Sequence, residues 1–134
     1  SLRRQRQMCI RDSYLIELLE NAFGKPTDHL ENYKNASPYL ASCKITDNIA
    51  YLKDIKTRFY SEPALEWQKQ QRNRTYEDLN AYKLEQASKT LKELGSTQTE
   101  FIATENRGYR ANGDRHPHSW SIVEQGSLVK WMTE

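Results

Sequence analysis

Two runs, Leu91-Lys92-Glu93-Leu94-Gly95 and Arg107-Gly108-Tyr109-Arg110-Ala111-Asn112-Gly113-Asp114-Arg115-His116-Pro117-His118, lie on either side of a change in the character of the chain. Up to Gly95 the apolar residues Tyr76, Leu79, Tyr82, Ala87, Leu91 and Leu94 recur at helical spacing, Thr75 and Asp78 approximate a capping box, and Gly95 stands as a C′ residue. Beyond it, Thr99 to Glu105 is rich in β-formers, Asn112-Gly113 is a strong two-residue turn signal, and Ser119 to Glu124 reads as a returning strand. The expectation is an α+β chain, mainly helical, that ends in a β-hairpin at about 99–124.

Upstream, Tyr14, Leu15, Ile16, Leu18, Leu19, Ala22 and Phe23 recur at helical spacing, with Asp12 or Ser13 as cap and Gly24 as terminator. Lys25-Pro26 breaks this helix, and Thr27 would cap a short second one over Asp28 to Lys34. Ser37-Pro38 starts a further turn or short helix through Ser42. Thr46-Asp47-Asn48 reads as a helix start, followed by Ile49, Leu52, Ile55 and Phe59 on one stripe. Ser61-Glu62-Pro63 repeats the start signal ahead of Ala64, Leu65 and Trp67, and the polar run Gln68 to Arg74 is expected to be solvated. Leu128 to Met132 fits either a strand or another element.

The 134 residues are 37 % hydrophobic and 28 % charged, which suits one domain with a modest core. No apolar stretch approaches the roughly 20 residues that cross a bilayer, so no membrane partner is expected and the expected location is intracellular. Cys9 and Cys43 are too few for a disulfide framework or a cysteine-based zinc site. Residues 1–13 carry four arginines without apolar periodicity and resemble the translated read of a sequencing adaptor; the alternative is a disordered basic arm. Without Arg3, Arg4, Arg6, Arg11 and Asp12, the 20 basic and 18 acidic residues become 16 and 17, and the net charge of +2 becomes −1. The expected organisation is a non-native or disordered segment at 1–13, an N-terminal helical segment at 14–45, and a domain at 46–134 that carries the hairpin.

A two-residue Asn112-Gly113 turn would pair Arg110 with Arg115, Tyr109 with His116, Arg107 with His118 and Ala103 with Ile122. The base of the hairpin would then place Phe101, Ala103, Trp120 and Ile122 on one face, over a helical core. Its distal half would collect Arg107, Tyr109, Arg110, Arg115, His116 and His118. Arginines directly opposite each other repel unless an anion lies between them, and a phosphate is such an anion. Arginines interleaved with tyrosine and histidine suit phosphate contact, minor-groove entry or base stacking, whereas a solvated hairpin protected from edge aggregation is the plain alternative. Asp114, His116 and His118 could share one metal, although Pro117 interrupts the pair and no further ligand cluster is evident. With no Gly-rich phosphate loop, Gly-x-Ser-x-Gly or Cys-x-x-Cys, neither a cofactor nor catalysis is expected.

The order of three helices, Gly95 and a basic hairpin resembles a winged-helix domain, with Glu85 to Leu94 in the place of the recognition helix and Arg107 to His118 as the wing. Leu91 to Gly95, followed by the Asn-Gly turn and Trp120, is similar to the C-terminal winged-helix portion of some viral and phage replicative helicase-primases. The resemblance spans roughly residues 46 to 124. It implies DNA binding, with RNA as second candidate, in a replication or regulatory protein of phage, viral or bacterial type. Gln86, Ser88, Lys89, Thr90 and Lys92 would face the duplex, and the wing arginines would hold the backbone. Glu85 and Glu93 stand beside those lysines, so the helix has no strongly basic face. The alternative is a non-catalytic interaction or structural domain from a larger protein, in which Tyr109, Trp120 and Trp131 contact a partner or the missing remainder of the parent chain.

Overall fold

A computed structural model describes residues 14–39 and 48–134. The expectations for residues 1–13, for Cys9 and Cys43, for the end of the Ser37-Pro38 turn and for the Thr46-Asp47 start lie outside the described residues. The chain divides into two compact units, one up to Asn48 and one from Ile49 to Glu134.

In the first unit, α1 is helical over residues 14–23 and α2 runs over Leu30–Ala36. Gly24 ends α1 with φ +78, where its N–H still reaches Glu20 O at 2.8 Å, as the glycine terminator requires. Pro26–Asp28 form a turn, so α2 starts later than Thr27 would have it. The Tyr33 hydroxyl donates to Gly24 O at 2.7 Å and its ring meets Phe23, which pins the two helices together. Asn48 closes the unit by donating to Lys34 O and Ser37 O, both at 2.8 Å.

The second unit is built on a two-stranded parallel sheet. Strand β1 (Thr57–Ser61) pairs with β2 (Thr99–Ala103) in the register Thr57↔Thr99 through Ser61↔Ala103. Between them the chain makes α3 (Leu65–Arg72) and α4 (Asn80–Glu93), and after β2 it ends in α5 (Gln125–Thr133). Helix α4 packs across both strands and the 3-10 turn at Ile49–Leu52. Its buried face, Ala81, Ala87, Ser88 and Leu91, forms the core with Leu79 and Ile49. Gly95, at φ +97, closes a Schellman motif: Gly95 N–H bonds Lys92 O at 3.0 Å and Ser96 N–H bonds Leu91 O at 2.9 Å. Thr75 donates both its N–H, at 2.9 Å, and its hydroxyl, at 3.1 Å, to the Asp78 carboxylate, half of the expected capping box, but the contact closes a turn and α4 begins five residues later. Helix α5 sits by β1, where Arg58 lies over the Trp131 ring at 4.5 Å, binds Glu100 across the strands and donates to Ser127 O. The Lys56 ammonium caps Trp131 O.

Two expectations are overturned. The stripe Ile49, Leu52, Ile55 and Phe59 is not a helix: one 3-10 turn is followed by β1, because Thr57, Phe59 and Tyr60 are β-formers whose partners lie 42 residues away in β2. Every residue of β1 is half-buried, so the strand has no two-residue alternation to betray it.

The C-terminal β-hairpin wing at 99–124 is not formed. Strand β2 pairs in parallel with β1, and residues 119–124 contribute a 3-10 turn at Trp120–Ile122 in place of a returning strand. The chain leaves the strand after Ala103 and bends at Asn106, φ +53, where Glu62 takes up the following N–H groups. Ala103 therefore faces Ser61 and not Ile122, and Trp120 is exposed instead of covering a core.

Candidate functional site

The segment after β2 is tied down by one buried carboxylate. Glu62 follows β1 and precedes Pro63, the chain turns into α3 through Ala64 at φ 45, and the Glu62 side chain is buried and gives α3 no cap. Its Oε2 accepts Arg107 N–H at 2.8 Å, Gly108 N–H at 2.9 Å and the Thr104 hydroxyl at 3.1 Å, while Oε1 pairs with Arg115. Burial alone would push this carboxyl up, but the two backbone N–H groups, Arg115 and Thr104 together hold it below its ordinary value.

Arg115 also donates to Gly108 O at 2.8 Å, and its guanidinium lies 5.1 Å from the Tyr109 ring. Ser119 donates its hydroxyl to Tyr109 O at 2.7 Å; Ser121 Oγ accepts Tyr109 N–H at 2.9 Å and donates to Arg107 O at 2.6 Å. Beside this frame a groove of about 740 Å³ is bordered by Glu62, Pro63, Trp67, Glu105, Asn106 and Arg115.

The tip of the loop differs from the expected two-residue turn by one residue. Arg110 N–H bonds Asp114 O at 2.9 Å, Gly113 N–H bonds Arg110 O at 2.9 Å, and Gly113 takes φ +84, the geometry of a three-residue loop with a left-handed glycine. Tyr109, not Arg110, is the bridge partner of Arg115. The expected opposition of Arg110 and Arg115 is thus absent, and Arg115 is engaged with Glu62 inside the protein.

On the outer side, His116 and His118 stand edge to face with centroids 6.0 Å apart. Burial lowers the pKa of His116, and Arg110 and Arg72 lower it further; burial, Arg72, His116 and Arg74 do the same to His118. The cations that act on the two rings come from the loop itself, in Arg110, and from the last residue of α3 and just beyond it, in Arg72 and Arg74. His116 is half-buried and its Nδ1 is buried without a hydrogen-bond partner. Arg72 stacks on Trp67 at 5.2 Å.

Of the other residues singled out from sequence, Arg107, Arg110 and His118 are exposed, as is Tyr109 at 42 %. On α4, Ser88 is only 2 % exposed and points into the core, Gln86 is half-buried, Lys89 is paired with Glu85 at 3.0 Å, and Lys92 is exposed in the last turn. Asp114 is turned to Asn112. Among the described residues no three His, Cys, Asp or Glu side chains converge on a possible metal site, so Asp114, His116 and His118 do not form one. Nor is any described helix long and apolar enough to cross a membrane. Sequence reasoning missed Glu62, Arg72, Arg74, Ser119 and Ser121. The only cue to the arginines was the cationic end of the Gln68–Arg74 run.

Comparison with known protein families, curated proteins and solved structures gives no match for this chain.

Proposed function

We propose that the chain is a non-catalytic nucleic-acid-binding module whose contact surface is the 107–118 loop. The observation that carries this reading is the exposure of Arg107 and Arg110 on a loop that Glu62 ties down, beside the paired imidazoles of His116 and His118. Exposed arginines on an ordered loop suit an anion, and backbone phosphates supply closely spaced anions. The Glu62 clamp favours this role because it fixes the loop before any ligand arrives. DNA is the first candidate and RNA the second. Contact through an α4 recognition face receives less support, since Ser88 is buried and Lys89 is neutralised by Glu85.

The test is binding of a labelled mixed-sequence oligonucleotide at about 50 and 200 mM salt, beside a variant with Arg107 and Arg110 changed to alanine. Neutralising several phosphates makes affinity fall steeply with salt, and the variant should lose most of the low-salt affinity and flatten that slope. Equal binding by the variant at low salt removes the reading. A second reading, an interaction domain for a partner protein or the remainder of a parent chain, is favoured by the exposed apolar residues of α1 (Leu15, Ile16, Leu18, Leu19) and of α5 (Val129, Met132). Association of that kind would be nearly independent of salt.

A further inference from the structure

The two parallel strands end side by side, β1 at Ser61 and β2 at Ala103. The groove of about 740 Å³ lies directly beyond both ends, lined by residues 62–67 and 103–106 together with Arg115. Crevices outside the carboxyl ends of parallel strands are where open α/β sheets hold their ligands, and this volume is in the range of binding pockets. Pro63, Ala64, Leu65 and Trp67 supply its apolar lining.

The charges around that lining are unequal. Glu62, Glu66 and Glu105 border the groove against one guanidinium, that of Arg115, which is already paired with Glu62. Glu66 and Glu105 are exposed, and among the described residues their carboxylates have no ion pair or hydrogen bond. Glu66 stands in the first turn of α3, where it suits the helix dipole, but Glu105 has no such role. The Glu62 side chain is fully buried, and its Oε1 meets Arg115 without a directional hydrogen bond, so a buried acceptor at the groove stays open to a further donor. This set disfavours an anion. A cation on an apolar stem matches both of its parts, because long basic side chains lay their methylene groups on apolar surface and keep the charged end among carboxylates and water.

We infer that the groove takes a lysine- or arginine-bearing extended segment of a partner protein, with the stem of one basic side chain on Pro63, Leu65 and Trp67 and its charged end at the Glu66 and Glu105 carboxylates. The volume exceeds what one such side chain fills, so neighbouring residues of the segment lie in the groove with it. This surface is separate from the one assigned to an anion, since neither Arg107 nor Arg110 lines it.

The experiment titrates the 134-residue chain into a labelled peptide of about ten residues, in which arginine alternates with glycine and alanine, at about 50 mM salt, and into the same peptide with glutamate in place of arginine. Anisotropy should show binding of the basic peptide and none of the acidic one. Glu66→Gln combined with Glu105→Gln should weaken binding by about three- to tenfold, the scale of two exposed charge contacts, whereas Glu77→Gln combined with Glu93→Gln should change it by less than about twofold. The second pair removes the same charge from residues that do not line the groove, and all four side chains are exposed, so the fold should survive, which circular dichroism checks. Equal losses in the two double variants reduce the binding to general surface charge and overturn the inference. No binding of the basic peptide overturns it as well. Binding of free arginine amide as tight as that of the peptide makes the ligand a small cation and overturns the peptide segment as occupant.

Discussion

Changing Glu62 to glutamine tests the frame on which the whole loop depends. The carboxylate receives two backbone N–H groups, one hydroxyl and one guanidinium, and all of these are donors. An amide keeps one acceptor oxygen but places an NH2 donor against the remaining partners, and it leaves Arg115, 21 % exposed, without its counter-ion. Removing one partner of a buried ion pair costs about 3–5 kcal/mol, and hydrogen bonds to a charged acceptor are about twice as strong as neutral ones. Because the amide keeps one acceptor, Glu62→Gln should cost about 2–3 kcal/mol and Glu62→Ala about 3–5 kcal/mol. Trp67, Trp120 and Trp131 all lie in the second unit, so intrinsic fluorescence during urea unfolding reports on that unit. With a slope of roughly 1–2 kcal/mol per molar urea, the Glu62→Gln midpoint should fall by about 1–3 M.

Acidification supplies an internal control for the same perturbation. The folded carboxyl titrates below its ordinary value of 4.5, so its contribution to stability is complete above that pH and is lost as pH falls through the folded value. The difference between wild type and Glu62→Gln should therefore shrink below about pH 4.5. A Glu62→Gln stability within about 0.5 kcal/mol of wild type at pH 7, or a difference that does not shrink in acid, would refute the clamp.

Three further outcomes are expected. Both loop histidines titrate below their ordinary 6.5, and a phosphate between them raises them, so binding takes up protons; oligonucleotide affinity measured by anisotropy should rise from pH 7.5 to 5.5, and changing His116 and His118 to asparagine should flatten that rise. The Tyr76 hydroxyl is pushed up to about 12 by burial and by its 3.0 Å bond to Glu85, so ultraviolet titration of the eight tyrosines should show one late component that Tyr76→Phe removes. A Cβ at Gly108 would stand 2.7 Å from Pro117 Cα and 2.8 Å from His116 O, so Gly108→Ala should cost about 2 kcal/mol or more in urea unfolding, whereas Gly113→Ala, with open space at φ +84, should cost about 1 kcal/mol from backbone strain alone.

Helix positions were legible in the residues themselves because their causes are local. The 3.6-residue recurrence from Leu79 to Leu91 and the left-handed residues Gly24 and Gly95 act within a few residues and stand where expected, while the Thr75–Asp78 contact forms but closes a turn ahead of α4. The turn at Asn112-Gly113 was visible for the same reason, but its length was not: two- and three-residue loops share the same residue preferences, and the extra residue moves Arg115 from Arg110 to Tyr109.

Pairing across the chain was decided only when the tertiary structure formed. Strand β1 lacks two-residue alternation because it is partly covered on both faces, and its partner in β2 lies beyond two intervening helices. Nothing near Ser61-Glu62-Pro63 distinguishes a helix-capping carboxylate from one that turns inward, since the N–H groups that capture it belong to Arg107 and Gly108. Local backbone preferences thus wrote helices and turns into the amino-acid order, while the buried carboxylate and the strand register came from contacts between residues more than 30 positions apart.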